Sequence, residues 1–123
     1  MISEKIKILI EKLRSKTESK QAIWKKTSRD TEFKLEFQKG AVTIDYWQDS
    51  QGIFVDLRII NENGDEVESA VFNSDLQVDF STLAELYELV KNSFYKIDET
   101  YKTLLDELDS DKIVGKGKDE LPF

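Results

Sequence analysis

Asp45 and Asp56 are the only two carboxylates whose spacing sets them face to face. They lie on neighbouring runs of alternating residues, and a hairpin closing through 49–52 opposes them on one side of a sheet. Two such groups can hold a hard cation or divide acid and base work, since like charges brought together push their proton affinities apart. Two ligands are few for calcium, however, and Lys34 and Arg58 fall within a strand or two, close enough to neutralise both acids. The chain has no histidine and no cysteine. That removes the commonest general base, the Ser/His and Cys/His nucleophile pairs and thiolate zinc sites. Any catalysis would have to run on carboxylates, lysine or tyrosine, and Tyr46, Tyr87, Tyr95 and Tyr101 occupy core-side or seam positions. The expectation is a non-enzymatic protein without cofactor or metal, with a carboxylate-based metal or hydrolytic site at Asp45/Asp56 as the alternative. Gly115 to Lys118 lies in a polar stretch and does not match a phosphate-binding loop.

Two other groups of side chains could make contacts. Trp47, Phe54 and Phe72 gather at one end of the sheet's polar face, with Ile60 on the same face, and large rings there need a cover. These four are the candidate protein-contact residues, and the partner is another protein or a second copy of this chain. Between Lys12 and Arg29 there are seven basic residues and one acid, Glu18. Lys16, Lys20, Lys25, Lys26 and Arg29, with Trp24 among them, offer phosphate contacts plus stacking, which makes nucleic acid a second, less favoured partner. The competing reading is a solvated helix end and linker, with Ile23-Trp24 anchored in the core or forming a short edge strand.

The elements that must position these residues follow from periodicity. Residues 31–38 alternate, placing Phe33, Leu35 and Phe37 on one face. A turn at Lys39-Gly40 pairs Phe37 with Val42, Leu35 with Ile44 and Phe33 with Tyr46. The next hairpin pairs Tyr46 with Val55, Ile44 with Leu57 and Val42 with Ile59. A loop at Asn61 to Asp65 then sets Ile59 opposite Val67 and Val55 opposite Val71. The result is a four-stranded antiparallel meander with a Phe33/Ile44/Leu57/Val71 core face. On the polar face Lys34 lies beside Asp45, and Arg58 lies beside Glu68 and opposite Thr43.

Helices flank the sheet. Ser3 caps a helix carrying Ile6, Leu9, Ile10 and Leu13, which frays somewhere in 14–20 where apolar anchors stop. After an extended connection over 73–80, Thr82 and Glu85 form a capping box. A long helix follows to Leu108, its apolar rows being Leu83, Val90, Ile97, Leu104 and Tyr87, Phe94, Tyr101, Leu108. At about 40 Å it exceeds the roughly 25 Å of an eight-residue strand. Part of it should therefore overhang the sheet and pack on the first helix, a second subunit or a client. The acids Asp106, Glu107 and Asp109 oppose the dipole at its C-terminal end, which should fray.

Composition sets the frame. At 123 residues, with 39% hydrophobic and 35% charged side chains, the chain suits one α+β domain over 1–109 followed by a polar tail over 110–123. Leu121, Pro122 and Phe123 could latch onto an exposed groove. The net charge of −7 is lopsided, at +3 over residues 1–61 and −10 over 62–123. No stretch approaches the roughly 18–20 apolar residues of a membrane span, and charge interrupts the N-terminus, so the expected location is cytoplasmic with no membrane partner. The helix, four-strand meander, helix order resembles in architecture many small acidic proteins, immunity and secretion-chaperone types among them. It implies an adaptor, chaperone or inhibitor-like binding module at most, because architecture alone carries no function.

Overall fold

The computed structural model describes residues 3–75 and 77–115, with side chains except at 77 and 78. In chain order the elements are α1 (Glu4–Glu18), β1 (Lys25–Lys26), β2 (Phe33–Phe37), β3 (Gly40–Asp49), β4 (Gly52–Asn61), β5 (Glu66–Asn73), α2 (Gln77–Tyr95) and α3 (Ile97–Asp109). The five strands form one antiparallel sheet in sequential order. It is the expected α+β architecture, an N-terminal helix, a meander and C-terminal helices on one face, with β1 added at the edge. Two lysines on that short edge strand discourage pairing with another chain.

The β3–β4 register is the expected one, with Tyr46 opposite Val55, Ile44 opposite Leu57 and Asp45 opposite Asp56. The β2–β3 register differs by two residues. Phe33 faces Ile44 and Leu35 faces Val42, so the turn is Gln38-Lys39 and Gly40 belongs to the strand. The parity, and hence the buried face, is unchanged. Gly40 is needed for close approach rather than for turning: a Cβ there would lie 2.6 Å from the Ile60 carbonyl oxygen, and its φ is 151°.

The β4–β5 pairing is where the expected face is overturned. The 61–65 loop forms as anticipated, Asn61 Oδ1 accepting from the Asn63 and Asp65 amides at 3.0 Å each and Gly64 taking φ 90°. Beyond it Ile60 pairs with Glu66 but Ile59 pairs with Glu68, which leaves Val67 as a bulge. One extra residue reverses the alternation of everything after it. Phe72, at 6% exposure, and Ala70 therefore enter the core, while Val71, at 49%, turns to the outer face and Val67 to solvent. Arg58 accordingly meets Glu66 at 3.8 Å and stands opposite Ser69 rather than beside Glu68.

The core unites Phe33, Ile44, Val55, Leu57, Ala70 and Phe72 of the sheet with Leu83, Leu86, Tyr87 and Val90 of α2 and Ile6, Ile10 and Leu13 of α1. Ser3 caps α1, its hydroxyl accepting from the Ile6 amide at 3.3 Å. The helix outlasts its last apolar anchor because Thr17 is itself buried. Its Oγ1 donates to the Leu13 carbonyl at 2.7 Å and accepts from the Trp24 indole N–H at 3.1 Å. Lys20, at φ 63°, closes α1 in a Schellman turn, with its amide on the Thr17 carbonyl and that of Gln21 on the Lys16 carbonyl.

α2 starts at Gln77, five residues before Thr82, so the extended connection expected up to Phe80 is instead a helical turn. Phe80 keeps the helical phase backwards from Leu83 and packs its ring 6.2 Å from that of Tyr46. The single helix expected over 82–108 is two helices. Lys96 takes the left-handed conformation, φ 54° and ψ 46°, and the Asn92 side chain reaches over the joint, accepting from the Asp98 amide at 3.1 Å and donating to Asp98 Oδ2 at 2.9 Å. The aromatic cluster of Phe33, Phe94 and Tyr95, with centroids 4.9 to 6.1 Å apart, packs the end of α2 against the core just before this joint. A left-handed lysine costs about 1–2 kcal/mol that glycine does not. Lys96→Gly should therefore stabilise the fold by about 0.5–1 kcal/mol, net of glycine's extra unfolded-state entropy, and Lys96→Val should destabilise it, both read from urea midpoints.

Among the described residues no helix is long and apolar enough to cross a membrane. The latch expected at Leu121, Pro122 and Phe123, and Leu76 of the connection, lie outside the described residues.

Candidate functional site

The outer face of the sheet carries the anticipated Asp45/Asp56 pair and two of the three anticipated rings. Trp47 and Phe54 are opposed across β3 and β4 and stack, with centroids 5.4 Å apart and planes at 16°. Both rings are half-buried. Phe72 does not join them, because the Val67 bulge sends it into the core, and Val71 takes its place on that face opposite Asp56. Ile60 lies on the same face but six residues along β4 from Phe54, roughly 20 Å away, so it belongs to no cluster with them.

Asp45 and Asp56 are opposed as anticipated and are buried, at 2% and 0% exposure. Their surroundings differ sharply. Asp45 sits in a full set of donors: Arg29 Nη2 at 2.7 Å and Nε at 2.9 Å on one oxygen, Thr31 Oγ1 at 2.6 Å and the Tyr46 amide at 2.8 Å on the other. The loop that supplies Arg29 and Thr31 is tied down by Tyr87 of α2, whose hydroxyl donates to the Thr31 carbonyl at 2.7 Å. Burial pushes that phenol up to about 12, so it stays a donor at any ordinary pH. The partner of Asp45 is Arg29, not the expected Lys34, whose ammonium lies 3.9 Å from Glu36. That ion pair could not be read from strand pairing, since Arg29 reaches over from a loop.

Asp56 has one weak partner, Arg58 Nη2 at 3.3 Å from Oδ2. Its Oδ1 and the nearby Thr43 Oγ1 are buried without hydrogen-bond partners. Burial raises the carboxyl to about 6, Arg58 opposes that shift and the negative Asp45 adds to it. One acid is thus locked in a clamp of donors while the other takes up a proton near neutrality. Acid and base roles can be divided in this way, but a substrate needs a route to the groups. Two clefts lie away from these acids. One of about 550 Å³ runs between α1 and α2, past Arg14, Phe80 and Glu85, and one of about 660 Å³ lies between the end of α1 and the α2/α3 joint, past Trp24, Leu89 and Phe94. No group of three or more potential metal-ligating side chains is present among the described residues. Each acid has one arginine beside it, at 2.7 Å for Asp45 and 3.3 Å for Asp56.

The basic segment is dispersed by folding. Trp24 is buried beneath the end of α1 and its indole N–H is taken by Thr17, which removes it as a stacking platform, while Ile23 beside it points into solvent. Lys20 pairs with Glu99 at 3.0 Å, Lys25 with Glu36 at 3.2 Å and Arg29 with Asp45, and Lys26 Nζ lies 5.1 Å from the centroid of the Tyr95 ring. Lys16 donates to the Gln21 side chain at 3.3 Å. Three of these five cations meet three different acids, one a glutamine and one an aromatic ring, unlike a stripe that tracks a phosphate backbone.

A further surface was only half legible beforehand. α3 buries none of its residues. Tyr101, Leu104, Leu105 and Leu108 are 64%, 50%, 54% and 63% exposed. Spaced at i, i+3, i+4 and i+7, they form one apolar stripe, with Ile97 half-buried at its start. Leu105 belongs to neither seven-residue row and could be recognised only from this spacing. Among the described residues, the polar contacts that tie α3 to the rest of the fold come from its first turn, Lys20 to Glu99 and Asn92 to Asp98. Comparison of the chain with protein-family models, curated proteins and solved structures gives no match.

Proposed function

We propose that the protein is a non-enzymatic protein-binding module of the adaptor, chaperone or inhibitor kind, and that α3 is the element that meets its partner. The observation that carries this reading is a thirteen-residue helix with an unbroken apolar stripe and no buried side chain. Each large apolar residue taken from water contributes about 1.5–3 kcal/mol, so the stripe is a substantial unspent driving force. An isolated helix of this length is marginal in water. The acids Asp106, Glu107 and Asp109 weaken its C-terminal end further by opposing the dipole. A partner docked along the stripe would supply the missing support. The stacked Trp47 and Phe54, with Val71 beside them, offer a second contact on the outer sheet face.

Leu104→Gln combined with Leu108→Gln should change unfolding free energy by less than about 0.5 kcal/mol per site, because these side chains are 50% and 63% exposed. The same variant should abolish binding. A photoreactive amino acid at Leu105, activated in the cell that makes the protein, should give a cross-linked product containing a protein chain. A probe that cross-links to no protein at all, at a position this exposed, would end the assignment.

A further inference from the structure

We infer that the α3 stripe pairs with the α3 stripe of a second copy of this chain, the two helices running antiparallel about a twofold axis. This rests on the reading of α3 as the contact surface and adds the identity of the occupant.

The first argument is register. Ile97, Tyr101, Leu104 and Leu108 follow the 4-3-4 spacing of a coiled-coil seam over twelve residues. In an antiparallel pair, Tyr101 meets Leu104 of the other copy and Ile97 meets Leu108. The flanking positions then place Asp98 against Leu105 and Thr100 against Glu107. No acid faces an acid. A parallel pair of the same helices brings Asp106, Glu107 and Asp109 of both copies to one end, where six carboxylates repel one another and both dipoles.

The second argument is charge. Among the residues of α3 the one base is Lys102, already matched to Asp106 at 3.3 Å one turn on, and three of the five acids lie at the C-terminal end. Acids there are unfavourable in their own helix but favourable beside the N-terminus of another. The antiparallel arrangement places them beside the N-terminus of the other copy's α3, next to the exposed Lys96, where the two acids of that first turn are already engaged, Glu99 by Lys20 at 3.0 Å and Asp98 by Asn92 at 2.9 Å.

The third argument is closure and size. An antiparallel helix pair is isologous, so it stops at two copies instead of propagating a fibre. A seam of this length buries on the order of 1,000 Å² in total, the lower bound for a specific interface, so the dimer should be weak, in the micromolar range. The outer sheet face, on a different part of the molecule, is left uncovered by it.

Sedimentation of the full chain from a few micromolar to several hundred micromolar should show a rise from the 14.3 kDa monomer to twice that mass. Leu104→Gln combined with Leu108→Gln should remain monomeric across the range while unfolding like the parent. Orientation can be read cleanly because the chain has no cysteine of its own. When Thr100→Cys and Glu107→Cys proteins are mixed and treated with a short bis-maleimide, the mixed dimer should dominate over either homodimer. A parent that stays at 14.3 kDa throughout, or a preponderance of 100–100 and 107–107 products, would overturn the antiparallel self-pair. A monomeric parent whose Leu105 probe captures a different protein would overturn self-pairing while leaving α3 as a binding surface; a monomeric parent with no capture would remove both.

Discussion

Gly40→Ala is expected to destabilise the protein by about 2–4 kcal/mol, lowering the melting temperature by on the order of 10 °C. Two effects add. The φ of 151° is a region that side chains rarely enter, and the new Cβ would lie 2.6 Å from the Ile60 carbonyl oxygen, part of the rigid backbone of the central strand β4. Neither β3 nor β4 can yield without disturbing the pairing of Gly40 with Asn61 and, on its other side, with Phe37. Gly52→Ala is the control, since its φ is 135° but nothing lies within 4 Å of its Cβ. It should lose only the conformational part, about 1–3 kcal/mol. Urea unfolding of the two variants side by side gives the test, and equal losses would show that the approach of β4 to residue 40 is not what requires glycine there.

Asp56→Asn should change the pH dependence of stability more than any other single substitution in the sheet. The folded carboxyl titrates near 6 against an ordinary value of 3.8, so the folded state holds the proton more tightly than the unfolded chain. Stability from this group is fully present below about 3.8 and is lost as pH rises through about 6. The rise from 3.8 to about 6 corresponds to a loss on the order of 2–3 kcal/mol. Asparagine has no proton to lose. The unfolding free energy of the parent minus that of the variant should therefore fall by about that amount between pH 4 and pH 7.5, the contributions of the other acids cancelling in the difference. A difference that stays flat over this range would mean that Asp56 is ionised without penalty and that its burial is compensated in some other way.

The two substitutions probe opposite kinds of information. That Asp45 stands opposite Asp56 follows from a local rule, a short turn between alternating runs, and such a rule can be applied to a sequence with confidence in its parity. The same rule places Phe33, Leu35, Val42, Ile44, Val55 and Leu57 on one buried face and Trp47 against Phe54 on the other. Gly40 was assigned to a turn because glycine in a short polar stretch signals one. The neighbour that actually demands it, Ile60, is twenty residues further along the chain.

What amino-acid order determined by itself was periodicity: strands of period two, helices with seven-residue rows, the Ser3 cap, the absence of histidine and cysteine, and the division of charge between the halves. These depend on residues within a few positions of one another. Tertiary structure decided the rest. The run Ala70-Val71-Phe72 is apolar on both parities, so only the bulge at Val67 could choose Phe72 for the core and Val71 for the outer face. The heptad continues unbroken through Lys96, and neither glycine nor proline marks the joint; the break comes from Phe94 and Tyr95 packing on Phe33 and from Asn92 holding Asp98. Arg29 is drawn to Asp45 and Trp24 to Thr17 across gaps that no pattern spans. Each of these choices is a competition between partners brought together only by folding, and so none is written in the local order of side chains.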